Sequence, residues 1–338
     1  MNCLTDYIGL RGCGSSAPAS GLYINDLPGI SLKQMVSLTN EEEKTYLDLW
    51  SMIQTRAQSR FSLDVREAMG KLYRLKSLTN AINMPKQVTN VTKAAVAGSK
   101  AGFIIQMNEA QNYDYIASPL NAIHIQQLFF YGSVQEKGIF VIYDAYTNEN
   151  LWSSGNYELT VDGWNTIEVN QTFNSQALAV YVTPSVNDPI SAFYTTEAPN
   201  YHQTPGCCDI RLNGFYTETM WDAFTNDALE SQTTNTYGLT ATFSIVCTWD
   251  NLICTNKSLF TRPWWYLCGI ELLTEQLYSS KLNQFTTVNL QRAKELREEY
   301  QVEYMKALEQ IAGGFNLACD CCIECSGGVQ LRETTSFF

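Results

Sequence analysis

The sequence predicts an α+β chain in which an antiparallel β-sandwich or jelly roll is inserted into a frame of long N- and C-terminal α-helices. Three observations carry that expectation. Between Ile123 and Thr183 short apolar runs recur at turn-length intervals, at 123–131, 139–143, 157–159, 164–169 and 178–182. They are separated by Gly132, Lys137-Gly138, Asn148 to Asn150, Ser153 to Asn156, Asp162-Gly163 and Asn174-Ser175, residues that accept positive φ or close Asx turns. Before and after this block the apolar residues recur every three or four positions, the period of a helix.

Taken in order, residues 1–38 read as an arm, Gly, Ser and Cys-rich at first, with a turn at Asp26 and Pro28-Gly29 and a short helix capped by Ser31. Residues 39–78 read as one long helix. Thr39 and Glu42 have capping-box spacing, and Tyr46, Leu49, Trp50, Ile53, Ala57, Phe61, Val65, Met69 and Leu72 make a single apolar stripe, about 50 Å if helical to Leu75. Residues 79–100, polar and broken by Pro85, read as a linker into the β insert at 101–258. Strands resume there at 209–217 and 239–249, the latter alternating Leu239, Ala241, Phe243, Ile245 and Cys247. The second part of the helical frame spans 259–314, its last helix capped by Asn289, striped by Ala293, Leu296, Tyr300, Tyr304, Ala307 and Leu308, and ended by Gly313-Gly314. A Cys-rich tail, 315–338, completes the chain.

With 45% apolar and 12% aromatic residues over 338 positions the chain can bury large cores, which excludes wholesale disorder. No run approaches about 18 apolar residues, and Met1 to Leu10 lacks a basic region followed by an apolar one, so neither a membrane helix nor a secretory signal is expected. The net charge of -12 is uneven. Residues 101–255 hold 16 acidic side chains against Lys137 and Arg211 alone, which disfavours a grip on nucleic acid. A basic strip, Arg56, Arg60, Arg66, Lys71, Arg74, Lys76, Lys86, Lys93 and Lys100, lies upstream. It reads as a solvated helix face, or as a strip that faces phosphates or is covered by carboxylates of a neighbouring subunit or ring.

Catalytic chemistry is sparse in this sequence. The two histidines, His124 in a strand and His202 near Cys207-Cys208, leave little room for imidazole acid-base work, and no phosphate loop, dinucleotide fingerprint, nucleophile elbow or zincin motif occurs. An enzyme is not expected. Among 11 cysteines the sharpest signal is Cys319, Cys321, Cys322 and Cys325. Three states fit that cluster: buried free thiols, zinc ligands approached by Cys3 and Cys13, or a disulfide. The odd count without an export signal favours reduced thiols made in a cytosol. No other cofactor is expected.

The opening Met-Asn-Cys-Leu-Thr-Asp-Tyr-Ile-Gly-Leu-Arg-Gly-Cys, the Gly21 to Ile30 segment and the Cys319 to Cys325 tail together resemble structural proteins of crAss-like tailed phages infecting Bacteroidetes. The resemblance covers both ends and little of the β insert. It implies a virion component assembled in the bacterial cytoplasm, a connector or tail-barrel ring protein near the portal. Its partners would be copies of itself and other virion proteins such as the portal or adjacent tail rings, with no membrane and no specific nucleic acid. Tyr23, Leu27, Trp50, Phe61, Trp264, Trp265, Tyr300 and Tyr304 are the candidate subunit-interface residues. The alternative is a carbohydrate-binding or adhesin module of a phage fibre, with Tyr143, Tyr146, Trp152, Tyr157, Trp164 and Tyr181 as sugar-stacking candidates.

Overall fold

Helices and strands segregate along this chain. A computed structural model describes residues 3–12, 17–39, 45–76, 81–96, 98–108, 120–132, 136–160, 163–186, 189–196, 209–217, 235–278, 290–317 and 322–324. They form an α+β fold with antiparallel sheets, divided into two compact units. The first comprises Met1–Leu75 and Trp249–Ala318, the second Lys76–Thr248 and Cys319–Phe338.

The described helices lie in the first unit: α1 (Leu32–Leu38), α2 (Tyr46–Gly70), α3 (Trp249–Thr255), α4 (Lys257–Tyr278) and α5 (Leu290–Gly314). Ser31 starts α1 with a full capping box, its side chain accepting from Gln34 N while the Gln34 side chain accepts from Ser31 N. At α2 the box is Thr45 with Asp48, six residues later than the Thr39-Glu42 pair that the spacing suggested. That start, and an end at Gly70 in place of Leu75, shorten the helix to 25 residues, about 37 Å. Its stripe meets α4 and α5 around Phe61, whose ring lies 5.6 Å from Trp264, 6.1 Å from Phe260 and 6.4 Å from Tyr304. Gly269 of α4 lets Leu27 and the Tyr300 ring approach, since a Cβ there would sit 2.7 Å from Leu27 Cδ1.

The expected arm is part of this core. Leu4, Ile8, Ile24, Leu27, Met35 and Leu38 are buried, Gly9 bridges Tyr23, and the Trp265 indole donates to Tyr23 O at 2.9 Å. Apolar side chains along the arm account for its packing. They fall outside the regular periods by which a helix or strand would be recognised.

The second unit holds β1 (Ile82–Asn83), β2 (Val88–Ala94), β3 (Lys100–Asn108), β4 (Asn121–Gly132), β5 (Lys137–Asp144), β6 (Asn150–Glu158), β7 (Gly163–Phe173), β8 (Ala177–Pro184), β9 (Ala192–Thr196), β10 (Asp209–Thr217) and β11 (Leu239–Cys247). Two sheets, β1-β11-β4-β7 and β10-β3-β8-β5-β6, share one apolar core, to which Phe130, Phe243 and Ile167 of the first and Phe103, Phe140 and Val180 of the second contribute. A third sheet pairs β2 with β9. Thus residues 79–100, expected as a linker, carry two strands, and the expected insert ends at Thr248, where α3 begins. The turn expected at 153–156 is instead an irregularity inside β6, where Gly155 takes φ +65° and the register against β5 shifts. The β5–β6 turn is as expected: Asp144 Oδ1 accepts from the Tyr146 and Thr147 amides at 2.9 Å, and Asn148 takes φ +59°.

Candidate interaction surface

The cysteines come first, because two pairs are joined. Cys3 bonds Cys254 within the first unit and Cys247 bonds Cys322 within the second. Cys322 is therefore a disulfide partner and not a zinc ligand, and the expectation of wholly reduced thiols is corrected for four residues. Partners 251 and 75 positions apart carry no local spacing signal. Among the described residues no group of His, Cys, Asp or Glu could hold a metal. Cys13, Cys207, Cys208, Cys319, Cys321, Cys325 and His202 lie outside the described residues. Cys268 is a free buried thiol, its pKa pushed up by burial and then by Glu271.

Six of the eight residues expected at a subunit interface, Leu27, Trp50, Phe61, Trp264, Tyr300 and Tyr304, are buried inside the first unit of their own chain. There they fill a core and are not free for a neighbouring subunit. Tyr23 and Trp265 are half-buried and bonded to each other. Tyr304 donates to Asp64 Oδ2 at 2.8 Å, and Arg60 reaches Asp64, Glu271 and Gln301 at 3.4, 3.1 and 2.8 Å. Burial, and then the bond to Asp64, push the Tyr304 phenol well above the ordinary tyrosine value. The Tyr300 hydroxyl donates to Pro28 O, tying α5 to the arm, and burial raises its pKa as well.

The basic strip is divided between the units and largely matched within the chain. Arg56 pairs with Glu275 at 2.5 Å and Lys71 with Glu67 at 3.9 Å. In the second unit Lys86, Lys93 and Lys100 sit over the rings of Phe129, Tyr216 and Tyr181 at 3.2, 3.5 and 5.3 Å. The carboxylates expected from a neighbour are supplied for Arg56, Arg60 and Lys71 by this chain itself.

Of the sugar-stacking candidates, Tyr181 is buried on the outer face of the five-stranded sheet beside Tyr143, while Trp152 and Tyr157 pack against the shared core. Tyr146 is exposed and its hydroxyl accepts from Gln106 Nε2. Trp164 is half-buried and stacks edge-on with Tyr131 at 5.7 Å, which in turn meets Tyr194 at 5.0 Å. His124 Nδ1 lies 3.0 Å from Thr172 Oγ1, a cross-strand structural contact.

Sequence reasoning missed a groove in the first unit. Its volume is about 300 Å³, with Leu259, Pro263, Ala307, Ile311 and Phe315 as apolar lining and Arg262 and Gln310 as polar members. Pro263 carries no N–H, so α4 makes no internal bond there to the Leu259 carbonyl, and Gly313-Gly314 end α5 just where Phe315 turns to stack on Phe260. Those two punctuation marks were the available signal. Arg262 meets Glu303 at 3.4 Å with much of its side chain in solvent. No protein-family model, curated protein or solved structure matches this chain.

Proposed function

We propose that this chain is a virion structural protein that assembles with copies of itself into a closed ring in the neck or tail barrel of a phage. The observation that carries the reading is apolar surface on the long helices of the first unit, where Leu63, Val302 and Tyr278 are 64%, 55% and 74% exposed beside an already filled core. Covering these side chains with a further surface would remove apolar area from water, which favours association. The second unit supports the same reading. Its rows β1-β11-β4-β7 and β3-β8-β5-β6, all antiparallel, support reading it as a jelly roll with β10 added at one edge. Jelly rolls recur in viral capsid and lectin domains. In this reading the helices make subunit contacts, and the acidic second unit faces other virion proteins and repels DNA phosphates. Light scattering and negative-stain imaging of the purified full chain test it. Closed particles of one copy number are expected, and a folded 38.1 kDa monomer at micromolar concentration overturns it.

The Tyr131, Trp164 and Tyr194 cluster favours a second reading, an adhesin module that stacks sugars. Glycan-array binding lost in Trp164→Ala would support that reading, and silence of the wild-type chain across the array would end it.

A further inference from the structure

The groove has a counterpart on the other side of the same helix. Along α5, Glu298, Val302, Met305 and Glu309 follow the i, i+4, i+7, i+11 stripe and all four are exposed. Val302 and Ile311 are nine residues apart, two and a half turns, so the apolar pair and the groove face opposite ways and are offset by about 13 Å along the axis. The stripe is apolar with a carboxylate at each end. The groove is apolar with the Arg262 guanidinium at its edge.

We propose that Val302 and Met305 of one copy seat in the Leu259, Pro263, Ile311 and Phe315 groove of the next. Glu298 or Glu309 then faces Arg262 of the receiving copy, whose contact with Glu303 of its own chain is long and exposed. The ridge and the groove are different surfaces, so the contact is heterologous. A single operator then repeats and gives a ring where its rotation closes, whereas a two-fold contact would stop at a dimer. One ridge in one groove is smaller than a stable interface of about 1,200–2,000 Å², so this pair is the central anchor of a larger contact. The proposal rests on the ring reading above and specifies its subunit contact.

The test uses the full-length chain and two variants, the ridge variant Val302→Asp/Met305→Asp and the groove variant Leu259→Asp. All three positions are exposed, so both variants should keep the wild-type circular dichroism. If the groove variant misfolds, Arg262→Glu replaces it. Each variant alone should run as the 38.1 kDa monomer in light scattering. Mixed, they should give a 1:1 dimer and nothing larger. One junction then joins a wild-type ridge to a wild-type groove, and the other sets carboxylates against carboxylates. Variants that assemble like the wild type, or a mixture that stays monomeric, would overturn the ridge-in-groove contact and leave the ring reading standing. A monomeric wild type would overturn both.

Discussion

Breaking the Cys247–Cys322 bond tests the architecture of the second unit. The bond joins the end of β11 to the segment after α5, and Lys76 N donates to Cys322 O at 2.8 Å, so three distant parts of the second unit meet at one residue. The partners are 75 residues apart, and closing a loop of that length removes about 15 cal/mol/K from the unfolded chain, about 4.5 kcal/mol at 25 °C. Measured values for such bonds are usually about 2–4 kcal/mol. For a body of this size the full figure corresponds to a fall in melting temperature of roughly 9–18 °C. Cys322 is fully buried, so Cys322→Ser also buries a hydroxyl. Cys247→Ser, and reduction of the wild type by a phosphine, separate that effect from loss of the cross-link. Calorimetry of all three should show losses of the same order, with Cys322→Ser the largest. A wild-type melting temperature indifferent to reductant, or alkylation of all 11 cysteines in the native unreduced chain, would refute the pairing.

Phe61→Ala removes the ring around which Trp264, Phe260 and Tyr304 pack, and should cost about 3–5 kcal/mol in urea unfolding. Tyr181, Tyr300 and Tyr304 have phenol pKa values raised by burial above the ordinary 10.0. Above pH 10 the unfolded chain loses those protons while the folded one keeps them, so their contribution is complete below about pH 10 and is lost as pH rises toward the folded values. Stability that increased through that range would contradict the burial. Gly102→Ala would place a Cβ 2.0 Å from Val180 O and 2.7 Å from Tyr181 Cα, separating β3 from β8 at a cost of about 3 kcal/mol or more. Gly70→Ala, with nothing within 4 Å at the end of α2, should be neutral or stabilising by up to about 1 kcal/mol under the same denaturant assay.

Local signals were readable mainly where the residues that define an element are neighbours in the chain. Ser31 caps α1 because its hydroxyl and Gln34 are three positions apart, and α5 runs to Gly313-Gly314 because its apolar stripe and its breaker lie on one segment. Strands β4, β5, β7 and β8 followed from turn residues between apolar runs, whereas most of β6 lies where a turn was expected. Strands β2 and β9 were not legible, since Val88–Ala94 and Ala192–Thr196 are short runs of mixed polarity that become strands by pairing with each other across about a hundred residues. The groove was not legible either. Leu259 and Pro263 meet Ile311 and Phe315 only when α4 packs on α5.

The sequence alone determined the class, α+β with helical periods toward both ends and alternating periods between, because those periods are fixed by the geometry of a helix turn and a strand pleat. Only the tertiary structure decided which large side chains are core and which are surface. Phe61, Trp264 and Tyr304 have the same composition and period as residues that would serve an interface, yet they point inward because α2, α4 and α5 enclose them, while Val302 and Met305 on the same α5 point outward. It also decided the thiols. A bond between Cys3 and Cys254, or between Cys247 and Cys322, depends on a distance between distant parts of the chain that no local pattern encodes.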